Sequence, residues 1–185
     1  MGKLILWNSI SLDGFFEGEK SWEIDWFQPF FEAELRAFSL AQLRSAGRLL
    51  FGRVTYEGMA AYWKTAQGEV AEFMNKLPKT VFSSTLDRAD WANTSLVRGD
   101  AVAAVRELKR QNSKDMFVFG SGKLCATLLE AGLFDEVRLA LIPLVLGRGA
   151  TLFGRGSSRV GMRLLEARPL SNGCVILRYE PLKDK

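Results

Sequence analysis

The sharpest chemical feature of the sequence is a glycine-rich junction between a strand and a helix. The apolar run 116–119 predicts a buried strand, and Gly120, Ser121 and Gly122 lead directly into a helix predicted over 122–131. Glycine permits positive φ and lets backbone N–H groups come close to a ligand. Because a helix N-terminus carries partial positive charge, the junction suits a phosphate or diphosphate. A tight turn without a ligand explains the same residues equally well.

Two further predicted strands end in residues that suit an anion. One ends at Gly52 and is followed by Arg53 and by Thr55, which we expect to be a helix N-cap. Arginine presents a planar fork that binds a phosphate through two hydrogen bonds. The other ends at Ser83 and Ser84. Ligands of open α/β sheets bind outside the carboxyl ends of the strands, so three such ends favour a nucleotide site.

The residue types that are missing exclude several kinds of site. The 185 residues contain no histidine, which rules out a Ser-His-Asp triad, a Cys-His dyad and an HExxH zinc site. The two cysteines, Cys125 and Cys174, form no CxxC motif, so we expect no metal site and favour two reduced buried thiols over a disulfide. Chemistry must therefore come from carboxylates, hydroxyls, Lys, Arg, Tyr or a bound cofactor.

Charge and hydropathy narrow the possible partners. There are 25 Lys and Arg against 21 Asp and Glu, a net charge of +4, and the basic residues are scattered. This pattern favours solvated surfaces over nucleic-acid binding, although a small excess of positive charge fits an anionic small ligand. No apolar run approaches the roughly 20 residues of a membrane helix. We therefore expect a cytoplasmic protein with a small-molecule substrate, no nucleic acid and no membrane partner.

Strands alternate with helices along the chain. Apolar periodicity predicts strands at 3–10, 48–51, 80–83, 95–98, 116–119 and 137–142 and helices at 29–46, 56–62, 69–76, 100–111 and 122–131. The first helix is expected to end at Gly47, and 11–25 is expected to be a loop. An Asn-Gly turn at 171–173 predicts a final hairpin. The pattern indicates one α/β domain over 1–185, with a mostly parallel central sheet, helices on both faces and a C-terminal antiparallel hairpin.

Taken in order, these segments resemble the dihydrofolate-reductase-like family. The resemblance is to the branch related to the C-terminal reductase domain of riboflavin biosynthesis. It rests on the run GSGKLCATLLEAGLFDEVRLALIPLVLGRGATLF at 120–153, on SLDG at 11–14, on FGRVTY at 51–56 and on VFSS at 81–84. It covers about residues 4–179. The four motifs occur in the family's order, which makes them more specific for the fold than for the reaction.

The resemblance implies NADPH as cofactor. The implied cofactor-binding residues stand at four strand ends and are Asn8, Ser9, Ile10, Gly52, Arg53, Thr55, Ser83, Ser84, Gly120, Ser121, Gly122, Lys123 and Leu124. Residues 52–55 would meet the 2′-phosphate and diphosphate, and 83–84 the adenosine ribose and its phosphate. Residues 120–124 would wrap the diphosphate, and 8–10 would lie near the nicotinamide. The loop 13–18 would close over it, although a purely structural turn is favoured for Asp13.

The resemblance also implies a carboxylate that assists protonation of the substrate. Asp25 is the first candidate and Glu32 the second, with water as a further proton source. An acid in the first turn of a helix explains Asp25 equally well, and counting back from Gly52 places Arg36 at this position instead.

The implied activity is hydride transfer from NADPH to a small planar heterocycle or carbonyl, pterin-like or ribosylaminopyrimidine-like. Phe15, Phe16 and Trp22 could line a flat pocket for such a ring, or serve only as core. A nucleotide-binding module without catalysis is the alternative from another functional class. We also expect a homodimer, the commonest symmetric assembly.

Overall fold

An eight-stranded sheet forms the centre of the molecule. The computed structural model describes residues 2–153 and 159–182. The strands are β1 (Leu4–Ser11), β2 (Phe15–Glu17), β3 (Ala46–Gly52), β4 (Lys79–Phe82), β5 (Thr94–Val97), β6 (Asp115–Phe119), β7 (Glu136–Ile142), β8 (Ala150–Thr151), β9 (Met162–Pro169) and β10 (Val175–Pro181). The helices are α1 (Ala33–Ser45), α2 (Arg53–Trp63), α3 (Glu69–Lys76), α4 (Ala101–Gln111) and α5 (Gly122–Glu130), and a 3-10 helix spans Asp25–Phe30.

The sheet has the order β5-β4-β3-β6-β1-β7-β10-β9, and β2 pairs with β8 separately. The first six strands are parallel, β10 is antiparallel to β7, and β9 is antiparallel to β10. This arrangement confirms the predicted mostly parallel sheet with a C-terminal antiparallel hairpin. Since β3, β6 and β1 are consecutive neighbours, their carboxyl ends meet at one edge, where ligands of such sheets bind.

Helices cover both faces of the sheet because side chains alternate along each strand. On β1, Ile5 and Trp7 pack into one cluster, to which α1, α2 and α3 contribute. Leu4 and Leu6 point the other way, into a second cluster built with α4 and α5. The expected layering is confirmed, whereas the single domain over 1–185 stays a prediction.

The first predicted helix was wrong at both ends. Pro29 belongs to the 3-10 helix, and α1 begins only at Ala33. Gly47 does not stop α1, which ends at Ser45 and passes at once into β3. A Cβ on Gly47 would lie 2.7 Å from Cβ of Lys114, so this glycine permits close packing and has no capping role. The expected loop 11–25 contains the short strand β2.

Other local predictions are confirmed. Helix α3 has the predicted bounds, and the carboxylate of Asp100 caps α4 by accepting hydrogen bonds from Val102 N and Ala103 N. Gly173 adopts φ +85° in the turn between β9 and β10. Within the described ranges, no helix combines the length and apolarity needed to cross a membrane.

Candidate active site

The N-termini of α2 and α5 are joined by one hydroxyl group. Oγ of Ser121 accepts a hydrogen bond from Gly52 N at 2.7 Å and donates one to Oγ1 of Thr55 at 2.8 Å. Because β3 and β6 are neighbours, the positive ends of both helix dipoles come together here. The prediction that Thr55 caps α2 was wrong: Gly52 is the N-cap, and Thr55 lies in the first turn, where its hydroxyl receives the Ser121 proton.

Close packing between protein elements accounts for the glycines of these turns. A Cβ on Gly52 would lie 2.9 Å from Ser121 Oγ, and one on Gly120, which has φ +52°, would lie 2.8 Å from Thr55 Oγ1. A Cβ on Gly122 would approach the Phe16 ring and two backbone carbonyls of the 151–152 segment at 3.3 Å. Packing within the protein therefore favours glycine at 52 and 120 and crowds a side chain at 122, so these glycines do not alone indicate a ligand.

At this junction, the groups suited to bind an anion are the backbone N–H groups at the start of α5. Ser121 adopts a left-handed conformation with φ 62°, and its hydroxyl caps none of the described N–H groups of α5. The first intrahelical bond runs from Cys125 N to Ser121 O. The preceding N–H groups, of residues 122–124, have no intrahelical acceptor, as at any helix start. Lys123 adds an exposed side chain, whereas the side chain of Leu124 is buried in the core.

Arg53 stands at the start of α2 and is half exposed. Its guanidinium makes an ion pair with Glu57 at 2.9 Å, where the two side chains are 45% and 46% exposed. Ser83 follows the neighbouring strand β4, and its hydroxyl oxygen accepts a hydrogen bond from Leu86 N at 3.0 Å. Ser84 is exposed beside it. A cation, paired with Glu57, and two serine hydroxyls therefore lie at the same edge of the sheet.

Asn8, near the end of β1, carries an unpaired buried donor. Its Oδ1 accepts a hydrogen bond from Gly120 N at 2.9 Å. Its Nδ2 is buried and has no hydrogen-bond partner among the described residues. Leaving such a group unpaired costs about 1–3 kcal/mol, so an acceptor is expected at this place. Ser9 faces the same cavity, whereas Ile10 packs towards the α5 side of the sheet.

A cavity of about 550 Å³ opens beside these strand ends. Its walls are rich in aromatic side chains, namely Trp7, Phe16, Trp22, Phe27, Phe31, Tyr62, Trp63 and Phe119. Asn8, Thr55 and Gly120 belong to its lining as well, so the cavity is continuous with the joined helix N-termini. Its size and largely apolar wall are typical of a small-molecule site. Phe16 and Trp22 line it as the sequence suggested, and Phe15 is outside the lining.

Among the residues that the structure describes, three charged ones line this cavity. Asp25 begins the 3-10 helix and is exposed at the cavity, and Arg36 of α1 lies with its guanidinium carbon 5.9 Å from the centre of the Phe31 ring. Glu17 is the third, and sequence reasoning missed it because a three-residue strand shows no periodicity. Glu32, the second acid candidate, is the N-cap residue of α1 and is not part of the lining.

Asp13 holds in place the 11–18 segment, which contributes Phe16 and Glu17 to the cavity lining. Its carboxylate accepts hydrogen bonds from Ser11 Oγ at 2.6 Å, Gly147 N at 2.7 Å and Leu146 N at 3.1 Å. The Ser11 hydroxyl, followed by the two backbone N–H groups, lowers the pKa of Asp13 to about 2. Together with the β2–β8 pairing, these bonds hold the 11–18 segment against 145–151. The structural role favoured for Asp13 from the sequence is confirmed.

Comparison with known proteins assigns the chain to a family. The family model described as the RibD C-terminal domain matches residues 2–176. The chain belongs to the RibD C-terminal domain family. YyaP of Bacillus subtilis (strain 168), described as an uncharacterized protein, is 29% identical over 182 residues, which cover 96% of this chain and 94% of YyaP.

Solved structures share the fold of this chain. A protein of Shewanella sp. PV-4, named provisionally for riboflavin biosynthesis, has a TM-score of 0.80 at 19% identity, with 98% of this chain and 99% of that chain covered. Dihydrofolate reductase of Enterococcus faecalis, complexed with NADP(H), has a TM-score of 0.68 at 16% identity, with 98% of each chain covered. The resemblance stated from the sequence and the dihydrofolate-reductase-like fold are both confirmed.

Proposed function

We propose that the protein is an NADPH-dependent reductase that transfers hydride to a small planar heterocycle or carbonyl. One observation carries the proposal: Thr55 and Gly120 belong both to the joined N-termini of α2 and α5 and to the lining of the aromatic cavity. Helix N-termini attract phosphate groups, and an apolar cavity accepts a flat ring. A dinucleotide cofactor has a diphosphate, which suits the helix N-termini, and a planar ring at one end, which suits the cavity.

The residues present fit such a cofactor. The backbone N–H groups of 122–124 and the start of α2 would hold the diphosphate, with Gly52, Gly120 and Ser121 shaping the turn. Arg53, Ser83 and Ser84 would hold the 2′-phosphate and the adenosine ribose, as the family resemblance implies. The unpaired Nδ2 of Asn8 supports a nicotinamide nearby, because a carboxamide oxygen would satisfy it. When bound, NADPH supplies the hydride.

The chain's own groups would orient the substrate and supply a proton. The aromatic walls would hold a planar substrate and exclude water from it. Asp25 is the proposed proton donor, since its carboxyl lies at the cavity, and water is the alternative source. The Asn8–Gly120 hydrogen bond fixes the end of β1 against the β6–α5 turn. It would therefore hold the nicotinamide side of the site at a fixed distance from the diphosphate side.

A turnover assay tests the proposal. Purified protein is mixed with NADPH and a panel of pterins, quinones and carbonyls, and NADPH oxidation is followed against blanks without protein. Oxidation that depends on one class of acceptor supports a reductase. Tight NADPH binding without oxidation by any acceptor would favour the non-catalytic nucleotide-binding module.

We further propose a cytoplasmic homodimer. The edge strand β9 supports pairing, because Leu164 and Leu165 are exposed on it and Leu182 is exposed close to its start, where Leu182 N donates a hydrogen bond to Gly161 O. An edge strand with free backbone groups and apolar side chains is a template for association with another chain. Sedimentation at micromolar concentration checks this, and a monomer there would contradict it.

A further inference from the structure

We infer that Asn75 sets the spacing between α2 and α3, and with it the shape of the cavity wall that these two helices share. Asn75 lies in the last turn of α3, and its side-chain amide reaches two other segments of the chain. The role is one of positioning, since Asn75 itself is outside the cavity lining. Its effect on turnover rests on the proposed function, whereas its effect on the two helices does not.

Part of the cavity wall comes from the second half of α2 and from α3. Met59, Tyr62 and Trp63 line the cavity from α2, and Val70 and Met74 line it from α3. The diphosphate is proposed to lie at the opposite end of α2, at its N-terminus, so these side chains belong to the acceptor side of the site. A change in the spacing between the two helices therefore changes the space that an acceptor can occupy.

The chain that links α2 to α3 does not fix this spacing by packing. Four of its five residues, 64–68, are exposed, and Gly68 adopts φ +100°, a conformation that favours glycine. Helix α3 has eight residues, and a helix of this length is marginal without tertiary contacts. The position of α3 therefore depends on its contacts with the rest of the protein.

The side-chain amide of Asn75 joins the two helices directly. Its Nδ2 donates a hydrogen bond to Trp63 O at the end of α2, at 2.8 Å, and its Oδ1 accepts one from Trp91 Nε1 at 2.7 Å. Since an indole N–H only donates and a carbonyl only accepts, the amide can make both bonds in one orientation alone. Trp91 N in turn donates to the hydroxyl of Tyr56, which belongs to α2, at 2.9 Å. The series of bonds thus starts and ends on α2, with Asn75 in between.

A buried ammonium group holds the same end of α3. Lys79, the first residue of β4, is fully buried, and its Nζ donates hydrogen bonds to the carbonyls of Met74, Asn75 and Leu77 at 2.8, 3.1 and 2.7 Å. Nζ also lies 4.6 Å from the centre of the Trp91 ring. The backbone of Asn75 is therefore fixed from β4, and its side chain extends this contact to α2.

The test is Asn75→Asp, which keeps the shape of the side chain and an oxygen that accepts from Trp91. The second oxygen takes the place of the donor and faces the Trp63 carbonyl, so this bond is lost. Asn112→Asp is the matched control. Asn112 Nδ2 also donates to a carbonyl at 2.8 Å, that of Leu108, at the C-terminus of a helix on the other face of the sheet. Melting curves report the folding of each variant.

Hydrogen–deuterium exchange, followed by mass spectrometry without any ligand, shows how firmly the two helices are held. Asn75→Asp should speed amide exchange about five- to tenfold in 59–66 and 70–77, as expected from the loss of one hydrogen bond. Trp91→Phe, a second variant that keeps an aromatic ring and removes the indole N–H, should speed exchange in the same segments. Asn112→Asp should leave both segments unchanged. Unchanged exchange there in Asn75→Asp, or an equal rise along the whole chain, would overturn the inference.

Steady-state kinetics then separate positioning from a general loss of folded protein. Asn75→Asp should raise KM for the acceptor about three- to tenfold and change kcat and the NADPH dissociation constant less than about twofold, because the altered wall contacts the bound acceptor alike before and during reaction. A smaller fraction of folded protein would instead lower kcat and leave KM unchanged, and that result would contradict the positioning role. Asn112→Asp should retain the KM of the parent.

The two measurements distinguish the inference from the reductase proposal. If exchange rises only in the two segments while no acceptor oxidises NADPH, the positioning role of Asn75 stands and the reductase proposal fails. If NADPH is oxidised while Asn75→Asp leaves exchange and KM unchanged, the reductase stands and the inference fails.

Discussion

Arg53 is expected to set the preference for NADPH over NADH, and Arg53→Ala is the change that tests this. The two cofactors differ by a single 2′-phosphate with close to two negative charges. Arg53 begins α2 beside the strand end that carries Ser83, where the proposal places that phosphate. Removing the guanidinium should therefore weaken NADPH binding and leave NADH binding nearly unchanged.

The magnitude follows from the surroundings of Arg53. A charge-assisted hydrogen bond contributes about 1.5–3 kcal/mol. The lower end applies here, because the side chain is 45% exposed and already pairs with Glu57. About 1.5 kcal/mol corresponds to a roughly tenfold loss of NADPH affinity. Glu57→Gln removes the competing carboxylate and should tighten NADPH binding about twofold, the size of an exposed i,i+4 pair.

Fluorescence titration of both cofactors with the parent, Arg53→Ala and Glu57→Gln measures these effects. The preference for NADPH should shrink as salt rises, because the contact is partly exposed. Equal losses for NADPH and NADH in Arg53→Ala would refute the reasoning, since Arg53 would then serve the diphosphate or the fold. A parent protein without any preference for NADPH would remove its premise.

Three further predictions concern the proton donor, a buried lysine and the edge strand. Asp25→Asn should lower the rate of substrate reduction at least about tenfold, as expected for a general acid, while NADPH affinity stays the same; an unchanged rate would assign the proton to water. Lys79 donates to the carbonyls of Met74, Asn75 and Leu77, so Lys79→Met should destabilise the fold by about 2 kcal/mol, whereas the exposed Lys76→Met should change little. Burial lowers the pKa of Lys79 from 10.5 to about 8. Between those pH values the unfolded chain binds more protons than the folded one, so the unfolding free energy of the parent relative to Lys79→Met should rise with pH in denaturant titrations. Leu164→Lys should convert a dimer to monomer in sedimentation without lowering the melting midpoint, and a dimer that persists would place the interface elsewhere.

Local sequence signals were enough for the mostly parallel sheet with helices on both faces, although not for the ends of α1 or the start of α2. Helix α3, the capped start of α4 and the Asn-Gly hairpin all follow from periodicity or turn chemistry that a few neighbouring residues specify. The strand ends that border the cavity also follow, since parallel strands bring their carboxyl ends to one edge. The family resemblance added further support, because the motifs at these strand ends occur in the family's order along the chain.

What the sequence did not show depends on contacts between distant residues. Strand β2 has three residues and pairs with β8, more than 130 positions away, so no local pattern predicts it. The error at Thr55 has a similar cause, because the hydroxyl that engages it belongs to Ser121. Gly58 also appears in the sequence only as an isolated glycine in a helix, and the Trp22 indole that lies against it arrives from another segment.

The glycines of the β6–α5 turn show how one residue type supports two interpretations. From the sequence, Gly120 is explained either by room for a diphosphate or by a tight turn. The structure shows that its missing Cβ makes room for Thr55. The case for a bound dinucleotide therefore depends on the two helix N-termini, on Arg53 and on the unpaired amide of Asn8.

The central claim is hydride transfer from NADPH to a small planar heterocycle or carbonyl held in the cavity, and isotope transfer measures it most directly. Protein is incubated with NADPH deuterated at the transferring carbon and with the acceptor that supports the fastest oxidation, and the product is analysed by mass spectrometry. The account predicts one deuterium on carbon in the reduced product, and a strong loss of the labelled product with Asp25→Asn. NADPH bound at the site with no deuterium in any product would contradict it.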